Sequence, residues 1–132
     1  MTESKLFQYL KDNLVYPDLQ MANNLMSRWD CYSPTTNHTI ELKCRKVHWN
    51  NGLILERKKY DALIRMCKFK YTNAIYICST PKGIFKWYLD EITPKWFMKK
   101  MKRTTEIKGL DNNIQVEKEV CFLKYEDAQK IG

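Results

Sequence analysis

Histidine is scarce in this 132-residue chain, with His38 and His48 as its two copies. The five cysteines, Cys31, Cys44, Cys67, Cys78 and Cys121, never fall at a C-x-x-C spacing. A zinc finger is therefore disfavoured. Their odd number and apolar neighbours read instead as small core residues in a reducing compartment. No apolar run approaches the roughly 20 residues needed to cross a bilayer. The start, "MTESKLFQYLKDNL", lacks the charged head and long apolar stretch of a signal peptide. An intracellular, cytoplasmic protein without a membrane partner is the expectation. Neither G-x-x-x-x-G-K-[ST] nor G-x-G-x-x-G occurs, so a loop cradling nucleotide phosphates is unsupported. No local pattern supports a Ser-His-Asp or Cys-His nucleophile. Linkers, repeats and low-complexity segments are missing too, and one domain over residues 1–132 is expected.

What the chain has is apolar material and positive charge. Hydrophobic residues make up 44% and aromatics 13%, enough for a packed core without disulfides or a structural metal. Lys and Arg number 23 against 15 Asp and Glu, a net charge of +8. Polyanions are the natural partners, nucleic acid first.

The apolar pattern predicts the elements. Thr2 caps a first helix whose stripe is Leu6, Phe7, Leu10 and Leu14. Pro17, Asn23 and Asn24 end it. Residues 25–32 read as a strand, 33–37 as a turn, and "HTIELKCRKVHW", residues 38–49, as a cleanly alternating strand. Asn50, Asn51 and Gly52 make a tight turn. From Ile54 to about Phe69 the period becomes helical, with Tyr60, Leu63, Ile64 and Cys67 on one side. "NAIYICST", residues 73–80, suits a strand buried on both faces. Residues 84–92 give another strand. Thr93 and Pro94 look like the cap and first position of a helix running to about residue 105. A last strand is expected over 113–125 and a short helical end over 126–132. The order α-β-β-α-β-β plus a C-terminal strand implies an α/β or α+β three-layer fold, with a mixed sheet at its centre. A right-handed crossover makes the strands at 38–49 and 73–80 parallel.

The chemistry concentrates at Asp30, Glu41 and Lys43. Successive strand residues point to opposite faces, so Glu41, Lys43 and Arg45 share one face, with Glu41 and Lys43 about 7 Å apart. Asp30 precedes Glu41 by a turn-containing gap. If that turn folds back, Asp30 approaches Glu41. Two neighbouring carboxylates repel unless a divalent cation lies between them. Their hard oxygens suit Mg²⁺, or Mn²⁺, and the Leu42 carbonyl could complete the shell. Such a metal polarises a phosphate and acidifies a bound water, and Lys43 would steady the developing charge. By itself, Glu-x-Lys is also what a solvated strand face with cross-strand ion pairs looks like.

Asp30, a turn, Glu41-Leu42-Lys43 on a strand, an amphipathic helix and a buried strand together resemble the PD-(D/E)XK nuclease superfamily. Its short stand-alone members, such as Holliday-junction resolvases and the VRR-type nucleases of phages, are similar in size and order. The resemblance covers about residues 1–90. It implies a restriction-endonuclease-like core and a Mg²⁺- or Mn²⁺-dependent endonuclease acting on DNA, duplex or branched, in a host cytoplasm if phage-encoded. Asp30 and Glu41 then match the metal-binding acids and Lys43 the catalytic lysine. Some members add an acid from the first helix, and Glu3 is the early candidate. Trp29 stands where the family name has proline, and residues 94–132 match no family feature.

Arg45, Lys46, Lys58 and Lys59 are the predicted phosphate contacts, with Lys82, Lys86 and the cluster Lys95, Lys99, Lys100, Lys102 and Arg103 as further basic surface. Trp87, Tyr88, Trp96 and Phe97 are weighed as base-stacking residues against a place in the core. His48 is weighed as a general base in an exposed turn. A homodimer is admitted, because two cuts or a branched substrate need two sites. Two non-catalytic readings stay open: a nucleic-acid-binding or assembly protein on the same fold, and an interaction module for acidic partners.

Overall fold

The computed structural model describes residues 1–21, 30–102 and 114–132, and of Asp30 only the backbone. Helix α1, Glu3–Asp12, begins where the Thr2 hydroxyl accepts the Lys5 amide at 3.2 Å. Leu6 and Leu10 are its buried stripe. Leu14, read as part of that stripe, instead lies past the helix end, exposed and with φ 59°. Strands β1, Gln20–Met21, and β2, Asp30–Ser33, follow, then β3, His38–Cys44, and β4, Leu53–Glu56. Helix α2 is Arg57–Lys70, strand β5 Asn73–Thr80 and strand β6 Gly83–Tyr88. Strands β7, Phe97–Lys102, β8, Gln115–Leu123, and β9, Gln129–Lys130, complete the order.

A six-stranded sheet runs β1-β2-β3-β5-β6-β9, and a three-stranded one runs β4-β8-β7. Strands β3 and β5 pair parallel across the α2 crossover and the other neighbours antiparallel. The large sheet is covered on both faces. Leu6, Leu10, Ile40, Leu42, Ile75 and Ile77 fill the α1 side. Leu63, Cys67, Tyr76, Cys78 and Trp87 fill the α2 side, with Leu55 and Leu123 from the smaller sheet. Each fully buried aliphatic side chain contributes about 1.5–3 kcal/mol, which commits every strand to one orientation. All five cysteines are free, and four are buried in these layers.

Several expected boundaries move. The helix read from Ile54 starts at Arg57, because Leu53 and Leu55 alternate inward and pair with Leu123 and Cys121 of β8. The helix expected from Thr93 is strand β7, held by the β8 ladder from Phe97↔Val120 to Lys102↔Gln115. The expected helical end is a 3-10 turn, Tyr125–Asp127, followed by β9 on the edge of β6. The strand expected to reach Trp49 stops at Cys44. Residues 25–29, expected to open β2, and Arg103 of the basic cluster lie outside the described residues. Among the described residues, no helix is long and apolar enough to cross a membrane.

Candidate active site

The turn between β2 and β3 folds back. Asn37 takes the left-handed conformation at φ 59°, which Asn tolerates well, and its amide donates to the Ser33 carbonyl at 2.9 Å. The Asp18 carboxylate clamps the turn from outside. It accepts from the Ser33 hydroxyl and from the Thr35 amide, each at 2.7 Å. Those bonds, the Thr35 amide first, hold its carboxyl down at about 2. The resulting register sets Asp30 directly opposite Glu41.

Strand β3 is central, between β2 and β5, and the burial of Ile40 and Leu42 against α1 turns Glu41 and Lys43 to the α2 side. The Lys43 ammonium lies 3.8 Å from the Glu41 carboxylate, with 25% and 12% of the two side chains exposed. Burial pushes the Lys43 ammonium below the ordinary lysine value, and the Lys59 ammonium adds to the shift. Lys59 stands in the first turn of α2. Arg45 follows β3, and its amide donates to the Ser79 carbonyl at 2.8 Å, which keeps it beside β5.

Lys43, Arg45 and Lys59 line one cavity of about 230 Å³. Glu56, the last residue of β4, lines it too, bonded at 3.1 Å to Lys118. The sequence held no signal for Glu56, because its approach depends on β4 pairing with β8. The other predicted contacts lie elsewhere. Lys58 faces a separate cavity with Asp61, Glu117 and Glu119. Lys46 is exposed just beyond β3. Lys86 leaves the basic surface altogether: it is 8% exposed, with its ammonium 4.8 Å from the Tyr16 ring and 4.7 Å from the Tyr88 ring. Glu3 stands in the first turn of α1, where its charge, after burial, helps raise the Cys44 thiol.

The aromatic candidates all make packing contacts, Phe97 from an exposed position. Trp87 is fully buried. Trp96 meets Tyr60 edge-on with Arg57 over its face, Phe97 packs on Phe122, and Tyr88 meets His38. His48 is pinned by a 2.7 Å hydrogen bond to the Thr80 hydroxyl and stacked on Tyr125.

Among the described residues no three His, Cys, Asp or Glu side chains gather as a metal site, and the Asp30 side chain is outside that set. What bears on a metal is the ladder itself. Like charges directly opposite one another destabilise an antiparallel pair. Asp30 and Glu41 occupy opposed positions of that kind in the β2–β3 register, and the Glu41 side chain is mostly buried. The carboxyl groups of Asp30 and Glu41 and the Leu42 carbonyl are by their chemistry hard oxygen donors, the type a divalent cation takes. Leu42 itself is buried toward α1 and offers no side-chain donor.

No family model matches this sequence, and no curated protein matches it. A solved structure does: Hjc, a Holliday junction resolvase from the archaeal hyperthermophile Archaeoglobus fulgidus. The two align over 98% of this chain and 93% of that one, with a TM-score of 0.56 and 13% sequence identity. The order of strands and helices around Glu41 and Lys43 is therefore that of a known architecture, and the chain shares the fold of that resolvase.

Proposed function

We propose that this protein is a metal-dependent endonuclease that hydrolyses phosphodiester bonds in DNA, with branched DNA as its substrate class. The observation that carries the reading is the register of Asp30 opposite Glu41, with Lys43 two residues on, in a fold shared with a junction resolvase. Asp30, Glu41 and the Leu42 carbonyl would hold Mg²⁺ or Mn²⁺. When bound, that cation supplies Lewis-acid polarisation of a phosphate oxygen and acidifies a water. The protein's own part is positional and electrostatic. Lys43, fixed beside Glu41, donates to the phosphoryl oxygen that gains charge. Arg45 and Lys59 bind the backbone on either side, which gives affinity without sequence information. Two copies of the chain would offer two such sites to a four-way junction.

The test is cutting of supercoiled plasmid and of a four-way junction in Mg²⁺, Mn²⁺ or EDTA, beside Glu41→Ala and Lys43→Ala. Cutting is expected with either metal, lost in EDTA and in both variants. Binding without metal-dependent cutting would leave a nucleic-acid-binding module in its place. Cutting that survives both substitutions would sink this site. Glu3→Gln in the same assay decides whether α1 contributes an acid.

A pH dependence follows from the lysine pair. Lys43 works here as the charged ammonium, and burial beside Lys59 lowers its pKa. Activity should therefore fall as pH rises through a value below the ordinary lysine range. Removing the like charge in Lys59→Gln raises the Lys43 pKa, so the alkaline limb of kcat/KM should move to higher pH, even as substrate affinity drops. A limb that stays put or moves down would contradict the assignment.

A further inference from the structure

We infer that Trp49 is a stacking platform for one unpaired base next to the phosphate at Lys43, so that the preferred DNA has a single-stranded nucleotide at the cut. This rests on the nuclease reading above and names its substrate more closely.

Trp49 lines the same cavity as Lys43, Arg45 and Lys59, together with Met101 from β7 and the buried ring of Tyr76 as its floor. The residue is 61% exposed. The turn that displays it is nevertheless rigidly anchored. On one side His48 stacks on Tyr125, ring centroids 3.9 Å apart and 17° between planes, and is bonded to Thr80. On the other, the Gly52 amide closes the turn on the Trp49 carbonyl at 3.1 Å. Gly52 sits at φ 104°, and a Cβ there would collide with the Leu123 carbonyl, so the turn is held close against the end of β8. The anchored turn thus presents a large apolar ring beside three cations.

That combination has the chemistry of single-strand recognition: a basic groove for the backbone and an aromatic face for the base. A cavity of about 230 Å³ is smaller than a site for a drug-sized ligand and suits one nucleobase. In intact duplex a base beside the bound phosphate is paired and stacked, and turning it out costs a few kcal/mol. At a single-stranded flap that cost is already met, and at a nick or the branch point of a junction, where stacking is interrupted, part of it is. Stacking on Trp49 therefore discriminates between the two kinds of DNA, while the cations bind both.

The experiment measures binding by fluorescence anisotropy in EDTA, using a labelled duplex and the same duplex bearing a single-stranded flap. Cutting of both in Mg²⁺ is followed separately. The wild type is expected to favour the flap by about tenfold, a ratio that Trp49→Ala brings close to one and Trp49→Phe largely keeps. Melting temperatures of the variants report the fold. A preference that persists in Trp49→Ala, or that the wild type lacks, overturns the platform. If the preference depends on Trp49 but neither DNA is cut, the hydrolytic reading falls and the platform stands.

Discussion

Glu41→Gln is expected to slow Mg²⁺-dependent cutting of DNA by about 10³-fold, the loss of some 4 kcal/mol of transition-state stabilisation. Glutamine keeps the shape and one carbonyl oxygen but brings no charge. In the proposed site that charge, opposite Asp30, is what draws in a divalent cation. The same change acts differently on the metal-free protein. It removes one of two like charges at opposed positions of β2 and β3, which offsets the loss of the ion pair to Lys43, so the melting temperature without metal should change little. It also removes a carboxylate beside Lys43, at 3.8 Å, so Lys43 should lose protons at still lower pH. The decisive comparison is thermal. Mg²⁺ should raise the wild-type melting temperature by mass action and leave Glu41→Gln unmoved. A variant that still cuts within tenfold of wild type would show that Glu41 holds no essential metal.

Trp87→Ala should cost about 4 kcal/mol of stability, the upper part of the range for removing a buried aromatic. For a chain of this length the melting temperature would drop by about 15 °C. Trp87 has no exposed surface. Its ring lies against Tyr76, Phe85 and Tyr125, and its indole nitrogen donates to the Lys124 carbonyl at 2.8 Å. Alanine would leave a cavity between the two sheets and an orphaned carbonyl. Trp96→Ala, at the half-buried rim of the same cluster, should cost less than half as much. Thermal and urea unfolding of the two variants check the order. Equal losses would mean that the core is centred nearer β7 than the packing of Trp87 implies.

The elements legible in the sequence are those whose reason for forming is local. Strand β5 occupies the residues its apolar run marks, because a strand buried on both faces needs no partner to be recognised. The alternation of β3 was enough to put Glu41 and Lys43 on one face and Ile40 and Leu42 on the other. The stripe of Leu63 and Cys67 marked α2. Errors arose where a distant segment supplies the reason. Leu53-Ile54-Leu55 is a strand because β8 lies alongside, and "FMKKMK" is a strand because the same β8 offers its other edge. A helical cap at Thr93 and Pro94 is a weak local preference, and a six-residue ladder outweighs it.

The candidate site divides the same way. The sequence by itself marked the residues proposed to carry the chemistry and determined which side of β3 Glu41 and Lys43 occupy, since side-chain alternation is a property of the strand alone. It also marked the segment 33–37 as a turn. Tertiary structure alone decided that this turn, clamped by Asp18, brings Asp30 level with Glu41. It alone selected Lys59 over Lys58 as the neighbour of Lys43. It buried Trp87 and left Trp49 displayed beside the site. Register and proximity are set by contacts between residues far apart in the chain, and a periodicity of two or 3.6 residues holds no record of them.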